Sequence, residues 1–356
     1  RQGDAQAATH WLERLRNTER PDAFIPVRFL DVAMVERFGP DEHRRLMRAE
    51  LLGPGMGEEG MRDFLRHWLR FGLAFDAAPG QLFFADAVLA GPAVNDPALR
   101  LHLLEARALS LVALGRIDDA LETFDLVAAS SGSPRSRLQA AQWRVVPVAL
   151  GLVGFPAALA DEGRALLEAL SADSSVRAAA EWTLAVDAYG RHEPLEGQRH
   201  LAAIKAAAPS RIDLIAFIDA LQQEALDRPD RALRITDSIV PYWAEGALEP
   251  FLRSALFLKR GSWRVADGQG DPASEWSWYQ NSDLRGWAEG PTAQAGEIDW
   301  ALANHARLRL AGLVQRRARA RTCVQLELLT MQWAHADAPF VEVRDGASRR
   351  WRDQCR

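Results

Sequence analysis

Residues Leu101–Pro134, LHLLEARALSLVALGRIDDALETFDLVAASSGSP, decide the fold class. Leu101, Leu104, Ala108, Leu111 and Val112 recur at spacings of three and four, the stripe of a helix buried along one side. Gly115 supplies a residue that can take positive φ and so end that helix without a Cβ clash. Asp118 and Asp119 then open a second helix, where carboxylates suit the unpaired N–H groups and the positive end of the dipole. Ala120, Leu121, Phe124 and Val127 form its apolar stripe. Small Ala108 and Ala120 let the two helices approach closely, and Phe124 fills the space beside them. The Ser130–Pro134 run is expected to close the unit, since proline cannot continue a helical ladder.

Working outward, the same plan returns. Helical pairs are expected over 136–150 with 157–170, 176–189 with 195–208, 211–226 with 230–240, and 251–266 with 272–281. Gly190 is expected to punctuate the second of these, and Ala232 sits where a small residue is needed in the third. Before the central unit, amphipathic stretches at 5–18, up to Phe38, from Pro40, and at Met61–Ala74 lack these landmarks and read as divergent pairs or a cap. Helices at 293–319, 322–333 and 339–353 end the chain.

Ala108, Gly115, Ala120, Phe124 and Pro134 resemble the landmarks of the tetratricopeptide repeat, a helix–turn–helix of about 34 residues. With five successive pairs at a period of roughly 35–45 residues, the resemblance implies an all-α, right-handed superhelical solenoid of antiparallel helix pairs. Its divisions are 1–95 (N-terminal pairs or cap), 96–320 (repeat array) and 321–356 (capping helices), forming one continuous solenoid. Trp276–Asp283, Glu297–Leu302 and Trp333–Ala338 are similar to the C-terminal repeat region of large bacterial tetratricopeptide proteins, some of which carry a signalling module. That resemblance implies a partner-binding or sensory array.

Composition narrows the function classes. A net charge of −5 argues against a general nucleic-acid binder. Lys205 and Lys259 are the only lysines, a bias in favour of arginine that reads as GC-rich codon usage. The longest apolar run, Val145–Ala160, is broken by Pro147, Gly151, Gly154 and Pro156, so no transmembrane segment is expected. Because Arg1 rather than methionine opens the sequence, an upstream leader, anchor or domain is expected.

Cys323 lies early in one expected helix and Cys355 at the end of the next, positions that neighbour each other in an antiparallel hairpin. Either they pair, implying an oxidising compartment, or they are two unrelated thiols.

Catalytic motifs fare poorly. Gly55–Gly60 fits G-x-G-x-x-G, but a helix precedes it and Glu58 and Glu59 sit where a phosphate would approach, so it reads as a loop. The eight histidines do not cluster; His102 and Glu105 share a helix face without a second ligand pair, and no metal site or cofactor is expected. No nucleophile motif occurs, and Asp118–Asp119 and Glu58–Glu59 read as helix starts or solvated faces.

Two surfaces remain. Trp278, Tyr279 and Trp287 stand near a helix end and loop, where exposed aromatics make a binding hot spot or, more plainly, pack between repeats. Arg316, Arg317, Arg319 and Arg321, with Arg349, Arg350 and Arg352, read either as solvated faces or as a contact for a phospholipid surface, an acidic partner or a terminal carboxylate. Most of the twelve tryptophans, Trp68, Trp143 and Trp182 among them, fall on apolar stripes and belong in the core. The expectation is a non-enzymatic protein-interaction scaffold whose inner face, lined by the first helix of each pair, holds a protein segment. It is expected to serve as an extrinsic subunit of a larger, membrane-associated complex. An extracytoplasmic location is expected, with a cytoplasmic one as the alternative. The competing function is the ligand- or peptide-sensing region of a signalling protein.

Overall fold

The computed structural model describes residues 45, 48, 78–90, 97–239, 249–268, 301, 302, 304, 305, 308 and 319–355. Within them the chain is all-helical, without strands, and its helices pack in neighbouring pairs. In chain order they are α1 (Ala78–Leu89), α2 (Pro97–Ala113), α3 (Ile117–Ser131), α4 (Pro134–Ala149), α5 (Ala157–Leu170) and α6 (Arg177–Gly190). Then follow α7 (Pro194–Ala207), α8 (Ile212–Ala225), α9 (Pro229–Asp237), α10 (Pro250–Ala266), α11 (Arg319–Gln332), a 3₁₀ turn (Trp333–His335) and α12 (Ala338–Cys355).

The pairs α2–α3, α4–α5, α6–α7 and α8–α9 share one turn. Each first helix ends on a left-handed residue, Gly115, Gly151, His192 and Asp227 in turn, with φ of 73°, 63°, 61° and 57°. In every case the amide after that residue reaches back to the carbonyl five residues earlier: Arg116 to Leu111, Leu152 to Pro147, Glu193 to Ala188 and Arg228 to Gln223. The left-handed residue's own amide bonds to the carbonyl three residues back, completing the Schellman arrangement that satisfies the orphan carbonyls of a helix end. Three of the second helices start two residues later; α5 starts later still, after the insertion Leu152–Phe155. The fourth residue of every second helix is small and buried: Ala120, Ala160, Gly197 and Ala232. Ala108, expected with Ala120 to face its partner helix, is buried as well. A Cβ on Gly197 would press into the Tyr189 ring of α6.

Several boundaries differ from the sequence expectation. Pro134 does not close the central unit. Gly132 ends α3 at φ 62°, the Ser133 hydroxyl accepts from the Ser136 amide at 3.1 Å, and Pro134 is the first residue of α4. Gly190 lies inside α6, where a Cβ would fall 2.8 Å from the Ala149 Cα; the punctuating residue is His192. Helix α1 was not anticipated. Its buried residues include Ala78, Gly80, Gln81, Leu82, Phe84 and Ala85, on more than one side, so no polar face marks its period. The expected helices at 5–18, up to Phe38, from Pro40 and at 61–74, the Gly55–Gly60 loop, Trp68 and the 272–281 helix lie outside the described residues.

Cross-pair polar ties follow the stacking. Asp187 of α6, almost fully buried, holds Arg164 of α5 at 2.8 Å and Arg191 at 3.0 Å. The buried Arg144 of α4 reaches Asp125 of α3 at 2.7 Å, and Lys259 of α10 reaches Glu224 of α8 at 2.9 Å. Inside the third pair, His200 Nδ1 lies 2.7 Å from Glu181 Oε2, both residues buried. Trp143 and Trp182 are core residues, with no exposed surface.

Candidate functional site

Two places bring residues distant in sequence together. The first lies where α4, α6 and α10 meet. There the start of α10 lies on α4: the Phe251 ring meets Trp143 edge-on at 4.9 Å, and Trp143 stacks on Phe124 of α3 at 5.2 Å. Beside this aromatic column, Gln142 Nε2 donates to Glu249 Oε1 at 3.0 Å and lies 3.1 Å from Thr183 Oγ1 of α6. Glu249 Oε2 accepts from the amides of Phe251 and Leu252 at 3.0 and 3.2 Å, so the carboxylate caps α10. Burial pushes the Glu249 carboxyl above its usual range, opposed by these hydrogen bonds and by the Arg211 charge. Arg211 itself grips Asp213 through two bonds of 2.9 and 2.8 Å. The Thr183 hydroxyl donates to the Ala179 carbonyl at 2.8 Å.

Chemically the cluster is committed to structure. Both Glu249 oxygens have donors, the Thr183 proton is engaged, and Asp213 is neutralised by Arg211. No base stands beside a nucleophile there, which acid–base or covalent catalysis would need. The cluster ties the start of α10 to α4 and α6, in two earlier pairs of the chain.

The second place is a notch between two turns. Asn304 Nδ2 donates to the Ala113 carbonyl at 2.7 Å, and Trp333 Nε1 donates to the same oxygen at 3.2 Å. The Asp337 amide donates to the Gly115 carbonyl at 2.9 Å, while Asp337 Oδ2 accepts from the Ile117 amide at 2.7 Å. The fully buried Phe340 ring packs against Trp333 and His305, which also meets Phe155. Gly154, at φ 84°, passes so close to Phe340 that a Cβ would enter the ring; at Gly115 a Cβ would lie 2.8 Å from that of Ala336. The Leu152–Phe155 insertion, which sets the second turn apart from its three counterparts, forms one wall of this notch. The tip of the α11–α12 hairpin thus docks across the turns of the first two pairs. The sequence reading of 321–356 as capping helices of one continuous solenoid did not foresee that return.

At the opposite end of the hairpin Cys323 and Cys355 form a disulfide, with their Cα atoms 5.6 Å apart. Of the candidate partner residues, Trp278, Tyr279, Trp287, Arg316 and Arg317 lie outside the described residues. Arg319 and Arg321 lie on the first turn of α11, and their side chains are likewise outside the description. Arg349 and Arg352 are exposed on α12. His102 and Glu105 form a surface pair at 3.4 Å, and among the described residues no group of three His, Cys, Asp or Glu could hold a metal ion. No helix among them is long and apolar enough to cross a membrane. The two clusters escape the sequence reading because key partners lie far apart in the chain, 107 residues for Gln142 and Glu249 and 220 for Ile117 and Asp337. The one available signal was the glycine-bearing insertion after Gly151.

Comparison with models of protein families, with curated proteins and with solved structures finds no match to this chain.

Proposed function

We propose that the chain is a non-enzymatic protein-interaction module, an array of tetratricopeptide-like pairs that serves as an extrinsic subunit of a larger membrane-associated bacterial complex. The recurrence of one turn at Gly115, Gly151, His192 and Asp227 carries this reading, because an identical helix end repeated four times builds a stack of equivalent pairs. Stacked pairs offer long surfaces to other chains and have no chemistry of their own to perform. With α10 seated against α4, the surface open to a partner here is the outer one, formed by the second helices. Leu126 and Leu166, half exposed, occupy the tenth position of α3 and α5 in turn and are the apolar positions this reading assigns to a partner. The Cys323–Cys355 bond supports an extracytoplasmic location, since such bonds persist in oxidising compartments. The sensory alternative calls for a cavity lined by tryptophans, whereas Trp143 and Trp182 are packed against Phe124, Phe251 and Phe217.

Affinity purification from the native source in mild detergent, with crosslinking mass spectrometry, tests the reading. A stoichiometric partner crosslinked beside α3 and α5, and lost from the Leu126→Asp/Leu166→Asp variant, is the expected result. A monomer that turns over a substrate unaided would end it.

A further inference from the structure

The disulfide gathers charge as well as covalent connectivity. It sets the first turn of α11, which carries Arg319 and Arg321, beside the last turns of α12, which carry Arg349, Arg350 and Arg352. Against these five arginines stands one carboxylate in the same turns, Asp353. Arg144, Arg164, Arg191, Arg211 and, on α12 itself, Arg344 each meet a carboxylate. Among the described residues Arg349, Arg350 and Arg352 make no ion pair. One basic end on a chain of net charge −5 gives the molecule a strong charge asymmetry, which would orient it at a charged surface.

We propose that this disulfide-closed end of the hairpin rests on an anionic lipid surface. Three features favour a bilayer over an acidic polypeptide. The arginines lie at the end of a hairpin whose other end is buried in the notch, and Arg349 and Arg352 are exposed there. Among the described residues no ion pair fixes Arg349, Arg350 or Arg352 into the fork that bidentate carboxylate recognition requires, whereas a layer of lipid headgroups asks only for positive charge near its plane. Trp351 stands among them with its ring partly buried, a residue suited to the boundary between apolar and wet surroundings. This site is separate from the outer surface proposed to hold a protein partner, and it can be tested with no partner present.

The test is co-sedimentation of the whole, disulfide-intact chain with vesicles of phosphatidylcholine alone or mixed with phosphatidylglycerol, at low and high salt. Binding to the mixed vesicles only, lost at high salt, is expected. Replacing the three described arginines together (Arg349→Gln, Arg350→Gln, Arg352→Gln) should weaken it roughly a hundredfold, while the matching lysine variant keeps most of it. Circular dichroism and mass mapping of the disulfide verify that each variant is folded. The proposal is overturned by failure to bind mixed vesicles, by equal binding of the glutamine variant, or by capture of polyglutamate without vesicle binding, the last assigning the site to an acidic polypeptide.

Discussion

Asp337 caps a helix that begins 220 residues before it: its Oδ2 accepts the Ile117 amide at 2.7 Å, where the local N-cap residue Arg116 contributes no side-chain bond. Helix α3 therefore depends on the C-terminal hairpin for what most helices find in their own sequence. Asp337→Ala should cost about 1 kcal/mol, the usual worth of an N-cap, read as a lower midpoint in urea unfolding.

The same residue predicts a pH dependence. Burial first of all, and then the Asp118 and Asp119 carboxylates, hold the Asp337 carboxyl above its ordinary value, against the pull of the Ile117 and Asp118 amides. A raised folded pKa means that its stabilising share is complete below the unfolded pKa and fades as pH climbs through the folded one. Asp337→Asn lacks that loss, so the stability of the wild-type chain relative to this variant should decline from acid to neutral pH. Urea titrations of both proteins across that range measure it; a constant difference would refute the assignment.

Gly154 and Phe340 form a lock whose parts must match. Gly154→Ala puts a methyl group into the ring on a left-handed backbone, and should cost about 2–4 kcal/mol. Phe340→Ala alone should cost about 3–5 kcal/mol through the emptied site. In the double variant the methyl group has room, so the two losses should sum to less than their separate values by 1 kcal/mol or so. Strict additivity in the cycle would mean that the two residues do not meet.

Removing the Cys323–Cys355 bond by Cys355→Ser should lower stability by roughly 3–4 kcal/mol on the loop-entropy scale for a separation of 32 residues. Among the described side chains of α12 beyond Ala347 none is fully buried, so hydrogen exchange should rise most over 348–355. The tip from Trp333 to Phe340, held in the notch, should stay protected. Mass mapping of the native chain without reductant provides the control, since neither cysteine should then be alkylated.

Glu249 tests how firmly the start of α10 is held on α4. Glu249→Ala leaves two α10 amides and the Gln142 side chain without their acceptor in a buried setting, and should cost about 2–4 kcal/mol. Near-neutral stability in thermal unfolding would show that the α10 segment sits loosely on α4.

The repeat was legible because its causes are local. Leu104, Ala108, Leu111 and Val112 set a period, Gly115 permits the left-handed turn, and Ala120 and Ala232 mark where helices touch. His192 and Asp227 occupy the same backbone position as Gly115 without glycine's signature, so the turns at those points had to be inferred from what flanked them. Helix α1 was missed because burial on several sides erases periodicity. The return of Trp333, Asp337 and Phe340 to Gly115 and Gly154 is a different matter, for no local pattern encodes which distant turn a ring will fill. That Cys323 and Cys355 neighbour each other follows from hairpin geometry, but whether the two thiols join depends on their redox surroundings as well as on their distance.

The docked tip also sets a schedule for biosynthesis. A ribosome delivers Gly115 and Gly154 well before Trp333 and Phe340, and at about 5–20 residues per second the gap lasts roughly 10–40 s. During that interval the first two pairs stand with an open apolar notch and an uncapped α3. A nascent chain halted before Trp333 would keep that notch open, a natural target for chaperones, so completion of the middle of the molecule waits on residues made long afterwards.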